Sequence, residues 1–102
     1  MARKPGTTIE GVRTDLVKLW RRNTRLILLR LNETETRLAE KCGISVSSIS
    51  MMLQRDDYRL TTLQLLGTMH ALQMLILEHE FNREAWNLWN EVHKEYSEDG
   101  LK

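Results

Sequence analysis

Residues 33–54 read ETETRLAEKCGISVSSISMMLQ, and this stretch decides the architecture. Thr34 suits an N-cap, because its hydroxyl can accept a backbone N–H left free by the first turn of a helix. A short helix of about eight residues, Glu35 to Cys42, is expected behind it. Gly43 should end that helix, since the residue just past a helix commonly takes a positive φ that glycine adopts without steric cost. Ser45 then caps a further helix from Val46 to about Gln54. Two short helices crossing at roughly 90–120° need a small residue where they touch, a glycine at the turn and apolar residues turned inward. Ala39 is the small contact, Leu38 is buried beside it, Ile44 plugs the corner, and Ile49 and Met52 face inward. The pattern is that of a helix-turn-helix, with N–H groups at the head of its second helix able to meet a phosphate.

Outward from this window the chain reads as helical nearly throughout. Pro5 is the only proline, and no alternating β-branched run suggests a strand. Toward the N-terminus, Ile9, Val12, Leu16, Leu19, Trp20 and Asn23 recur at three- and four-residue steps and thicken into Leu26–Leu31, which predicts a long first helix in one or two pieces. Asn32-Glu33-Thr34 breaks it. Toward the C-terminus, Arg55–Arg59 is a polar loop, and Thr61 with Gln64 has the spacing of a capping box. The helix that starts there runs through Leu63, Leu66, Met69, His70, Leu72, Met74, Leu75 and Leu77. Asn82 caps a fifth helix, Arg83 to Tyr96, unless one helix continues from Thr61, and the tail Ser97–Lys102 should fray. The fold class is all-α, a compact bundle of about five helices. It divides into a basic flexible arm (1–8), a helix-turn-helix domain (9–80) and a C-terminal helix with its tail (81–102).

Composition narrows the function. At 102 residues the chain has room for one core. With 41% apolar and 28% charged residues it is too apolar to stay disordered. A single cysteine, Cys42, excludes an internal disulfide framework or a multi-cysteine zinc module and fits a reducing cytoplasm. The apolar runs Leu26–Leu31 and Leu72–Leu77 are far shorter than the ~20 residues that span a bilayer. The basic start Met-Ala-Arg-Lys-Pro-Gly is not followed by the apolar run of an export signal. The net charge of +1 hides an asymmetry: residues 1–30 hold eight basic groups against two acidic, 31–77 four against five, and 78–102 three against seven. A polyanion is attracted to one end and repelled from the other, unless these charges are merely solvated helix faces.

From about Leu26 to Leu77, half of the chain, the sequence resembles the lambda-repressor-like family of Xre/Cro type. The carriers are the helix before the motif, the Leu-Ala, Gly-Ile-Ser and Ile/Met positions within it, and the Leu-Thr-Thr-Leu-Gln-Leu-Leu segment (60–66) leading to Ala71-Leu72. The resemblance implies a bacterial, phage or plasmid regulator that binds double-stranded DNA, commonly as a homodimer on a palindromic operator. Carried over by position, Ser45, Val46, Ser47, Ser50, Met51 and Gln54 would read bases. The chain departs from the family pattern in two places. Glu35 stands where a phosphate-binding glutamine is common, and the second motif helix holds no Lys or Arg before Arg55. Its hydroxyl, apolar and amide groups suit thymine methyls and adenine rather than guanine. Phosphate neutralisation therefore falls to Arg21, Arg22 and Arg25, with Arg37, Lys41, Arg55 and Arg59.

Other residues invite plainer readings. Cys42 occupies a position that packs. His70, His79 and His93 lack the i, i+4 spacing of a ligand pair, so neither a metal nor another cofactor is expected. No nucleophile–base–acid set or phosphate loop is visible, which argues against an enzyme. Met51 faces outward while Met52, Met69 and Met74 fill gaps. In the last segment Phe81, Ala85, Leu88, Val92 and Tyr96 form a stripe widened by Trp86, Trp89 and His93. Either this stripe completes the core, or Trp86, Trp89, Val92 and Tyr96 form a dimer interface, and the breadth of the arc favours the interface. The expectation is a cytoplasmic, sequence-specific DNA-binding regulator, a repressor by default. The rival is the same fold used as a protein-binding adaptor or antitoxin-like inhibitor.

Overall fold

The caps expected from sequence set the boundaries of the helices in a computed structural model, which describes residues 12–80 and 82–101, with backbone alone at 98–101. The expected arm (1–8), Ile9, Phe81 and Lys102 lie outside the described residues. The elements are α1 (Thr14–Leu31), α2 (Glu35–Cys42), α3 (Val46–Gln54), α4 (Thr62–Glu78) and α5 (Arg83–Leu101), and no strand occurs among the described residues. The fold is an all-α bundle of five helices. Thr34 Oγ1 accepts the Arg37 N–H at 3.2 Å. Ser45 Oγ accepts the Ser48 N–H at 3.1 Å. Thr61 and Gln64 exchange both bonds of a capping box, at 3.0 and 3.1 Å, and Asn82 Oδ1 accepts the Ala85 N–H at 3.0 Å.

Two boundaries differ from expectation, the start of α1 and the end of α5. α1 is one piece and starts at Thr14, because Val12 is drawn out of helical register by a bond from its N–H to the Leu60 carbonyl, 3.0 Å long. α4 and α5 are separate, as the Asn82 cap led one to expect, broken after Glu78 by His79 and by Glu80 at φ 57°. α5 extends past the expected end at Tyr96 to Leu101.

α1 is the mast of the bundle, and three of its residues bind three different helices. Trp20 is fully buried and its Nε1–H donates to Thr68 Oγ1 of α4 at 3.0 Å. Thr68 passes its own hydrogen to the Gln64 carbonyl at 2.8 Å. Asn23, also fully buried, donates from Nδ2 to the Leu88 carbonyl and to Glu91 Oε1 of α5, at 2.8 and 2.7 Å. Arg21 reaches α3. Each of these polar groups is buried with its partner in place, so none imposes the ~1–3 kcal/mol cost of an unpaired buried donor. Around them pack Ile27, Leu38, Ile49, Leu65, Leu72 and Ile76 in one apolar core.

α5 belongs to that same core, which corrects the expected interface. Trp89 is 7% exposed and its Nε1–H donates to the Met69 carbonyl of α4 at 2.7 Å. Val92 and Ala85 are buried, and Trp86 and Tyr96 are half-buried against the core. Trp89 and Val92 are therefore engaged within their own chain, because the deep side of the α5 stripe faces α1 and α4. No helix is long and apolar enough to cross a membrane among the described residues.

Candidate nucleic-acid interface

Gly43 closes α2 at φ 74°, ψ 25°, and its N–H returns to the Ala39 carbonyl at 2.9 Å. This left-handed step turns the chain from α2 into α3. Leu38 and Ala39 are buried under it, and Ile49, Met52 and Leu53 bury the inner side of α3. Ile44 does not plug the corner as expected. It is exposed and lies in a shallow apolar recess with Cys42, Leu63 and Gly67, because the left-handed turn carries its side chain toward α4 rather than under α3. Burial pushes the Cys42 thiol up to about 11, so at neutral pH it stays protonated and acts as a packing residue.

The outer side of α3 holds the residues expected to read bases. Ser45, Val46, Ser47, Met51 and Gln54 are exposed and Ser50 is half-buried. Ser47, Ser50, Met51 and Gln54 follow at steps of three, one and three, which places them on one face. Ser45 is occupied as the cap, its Oγ 3.0 Å from Ser48 Oγ. For Ser47, Ser50 and Gln54 the chain supplies no side-chain hydrogen bond among the described residues.

α3 is held at its far end by α1. Arg21 donates from Nη2 to the Arg55 carbonyl at 2.8 Å and from Nε to the Met52 carbonyl at 3.4 Å, and Arg25 Nη2 donates to the Leu53 carbonyl. Last-turn carbonyls have no partner within their own helix, and cationic donors suit the negative end of its dipole. This placement changes the role of Arg21, which at 7% exposure is a strut for α3 and not a surface cation. The sequence held the signal: Arg21 sits between Trp20 and Asn23, on the inward arc of α1.

The remaining cations divide by their partners. Arg22 lies 3.6 Å from Glu91, and Arg55 lies 3.1 Å from Asp57, which holds the Asp57 carboxyl below its usual range. Arg37 faces Glu78 at 3.0 Å, Glu40 at 3.4 Å and Glu33 at 3.6 Å. Lys41 also bonds to Glu78, and that hydrogen bond lowers the Glu78 carboxyl below its usual 4.5. Lys18 and Arg59 are exposed and carry no ion pair among the described residues. Lys18, Arg22 and Arg25 line a shallow groove with Thr14 and Asp56, beside the carboxyl end of α3.

The histidines go separate ways. His79 Nε2 sits 2.7 Å from Glu33 Oε2, His93 stacks on Trp89 with centroids 4.8 Å apart, and His70 is exposed on α4. Among the described residues no three His, Cys, Asp or Glu side chains are grouped to hold a metal ion. Sequence reasoning missed the outer row of α4, where Leu63, Leu66, Met74 and Leu77 are exposed. A helix apolar on every side has no periodic signal to say which side is buried. No protein-family model matches the chain, and neither a curated protein nor a solved structure shows significant similarity to it.

Proposed function

We propose that this protein is a regulator that binds double-stranded DNA through α3, laid in the major groove. The observation that carries the reading is the outer row of α3: hydroxyl, amide and apolar groups at helical spacing, left without partners by their own chain, on a helix fixed at both ends. Gln54 can pair with the N6 and N7 atoms of adenine, and Val46 and Met51 can meet thymine methyls. An A·T-containing site follows from that chemistry. Lys18, Arg22, Arg25 and Arg59 supply phosphate contacts from the flank, with the α3 N-terminus as a further anion site. Occlusion of a promoter is the simplest regulatory consequence. Selection from random duplexes, followed by competition against Ser47→Ala, Met51→Ala and Gln54→Ala, tests the reading. Each side chain that makes a good base contact should lose roughly 1–3 kcal/mol of discrimination.

One observation favours the protein-binding alternative: Arg37, Lys41 and Arg55 all have carboxylate partners within the chain, so the motif itself presents little free positive charge. Absence of an enriched duplex, together with loss of a protein interaction in the same variants, would establish that alternative.

A further inference from the structure

The outer face of α4 is an apolar surface with a symmetric order. Leu63, Leu66, Met74 and Leu77 are exposed, Leu63 at 71% and Leu77 at 58%, and His70 is exposed between them. Counted from His70, the apolar residues fall at −7, −4, +4 and +7. Each step is one or two helical turns, so all five share one face about 21 Å long. The spacing is the same read in either direction along the helix.

A second feature points the same way. Gly67 sits in the middle of a seventeen-residue helix, where glycine is less favourable than alanine. Its backbone has no positive φ, and a Cβ placed there would meet nothing within 4 Å. Nothing within the chain needs a glycine at this position. Something outside the chain does if it must approach α4 closely there. Gly67 also floors the recess formed with Cys42, Ile44 and Leu63. Charge identifies the occupant: from Thr62 to Leu77 the helix has no Asp, Glu, Lys or Arg, so two copies of this face meet without like-charge repulsion, and a strongly charged partner finds nothing to pair with.

The geometry points to self-association through α4, two copies packing antiparallel about a two-fold axis at His70. Leu63 then meets the second copy's position 77, Leu66 meets position 74, and the recess at Gly67 receives the far end of the opposing α4. A two-fold contact uses one patch twice, which a symmetric row satisfies. The exposed apolar residues offer roughly 400–500 Å² per copy, within the size of a monomer's largest and often functional patch. With their polar rim, two copies reach the ~1,000–1,200 Å² of a specific interface. The inference stands apart from DNA binding, because its readout is mass in solution.

The test is sedimentation velocity of the full chain at about 50 µM, with circular dichroism to show that each variant is folded. Substitution at these exposed positions leaves the core intact. Wild type should sediment as a dimer. Leu63→Lys/Leu77→Lys should be monomeric, because lysines then face each other at both ends of the seam. Leu63→Lys/Leu77→Glu should return to a dimer, because each lysine then faces a glutamate. Gly67→Ala should weaken association several-fold. A monomeric wild type, a dimeric Lys/Lys variant, a monomeric Lys/Glu variant, or undiminished association in Gly67→Ala would each overturn the proposed pairing.

Discussion

α3 and α5 handle their side chains in opposite ways. α5 is long and turns its large aromatic side inward: Trp89 donates into α4, and the Trp86–Trp89–His93 stack, with both spacings 4.8 Å, lies along its flank. α3 is half that length, buries Ile49, Met52 and Leu53, and leaves small hydroxyls, a thioether and an amide outside. α5 is held by what it buries, whereas α3 is also held by arginines that α1 sends to its last carbonyls. Rigid placement and a free outer face can coexist in a nine-residue helix only if the holding comes from behind and from the ends.

The largest loss is expected at α5. Trp89→Ala should destabilise the fold by about 3–5 kcal/mol, the usual cost of removing a buried aromatic ring, measured by urea unfolding; a loss below 1 kcal/mol would mean that the α5 stripe is not core. Arg21→Met keeps the bulk but removes the donors that close α3, and should cost about 1.5–3 kcal/mol, as charged hydrogen bonds do. The same variant should leave the salt dependence of DNA binding unchanged, since Arg21 is a strut. Gly43→Ala meets no steric obstacle, so its cost is conformational alone, about 1–2 kcal/mol for a left-handed residue with a Cβ.

A gentler probe is acid. Hydrogen bonding to Lys41 lowers Glu78 below 4.5 in the folded chain, so its contribution is present above that value and is lost as pH falls through the lower folded one. Lys41→Met should remove this part of the acid dependence by lowering stability slightly at pH 7 while matching wild type near pH 3, as judged from thermal melts at pH 3 to 7. The smallest effect on stability belongs to the outer face of α3: Ser47→Ala and Gln54→Ala should stay within about 0.5 kcal/mol of wild type, as surface changes do. A larger loss would show that these side chains pack.

Local chemistry made much of this legible. Thr34, Ser45, Thr61 and Asn82 announced four helix starts because capping depends on a side chain two or three residues from its target. Gly43 announced the turn, and Ile49 and Met52 the inner face of α3, for similarly local reasons. What escaped depended on distant partners. Nothing near Arg21 in sequence says that the Arg55 carbonyl will be waiting for it. Nothing near Trp89 tells a core tryptophan from an interface one. In α4, uniform apolarity concealed which side was left open, and the broad arc of α5 suggested an interface although Trp89 and Val92 are buried in the chain's own core.

The most direct test of a DNA-binding role for α3 is a salt titration of affinity for a selected duplex, run on wild type and on Lys18→Ala/Arg22→Ala/Arg59→Ala, which spares the arginines that hold α3. Log affinity should fall linearly with log salt, each phosphate contact contributing a slope of about −0.9, with a shallower line for the triple variant. No measurable binding by wild type at about 50 mM salt, or parallel lines for the two proteins, would contradict it.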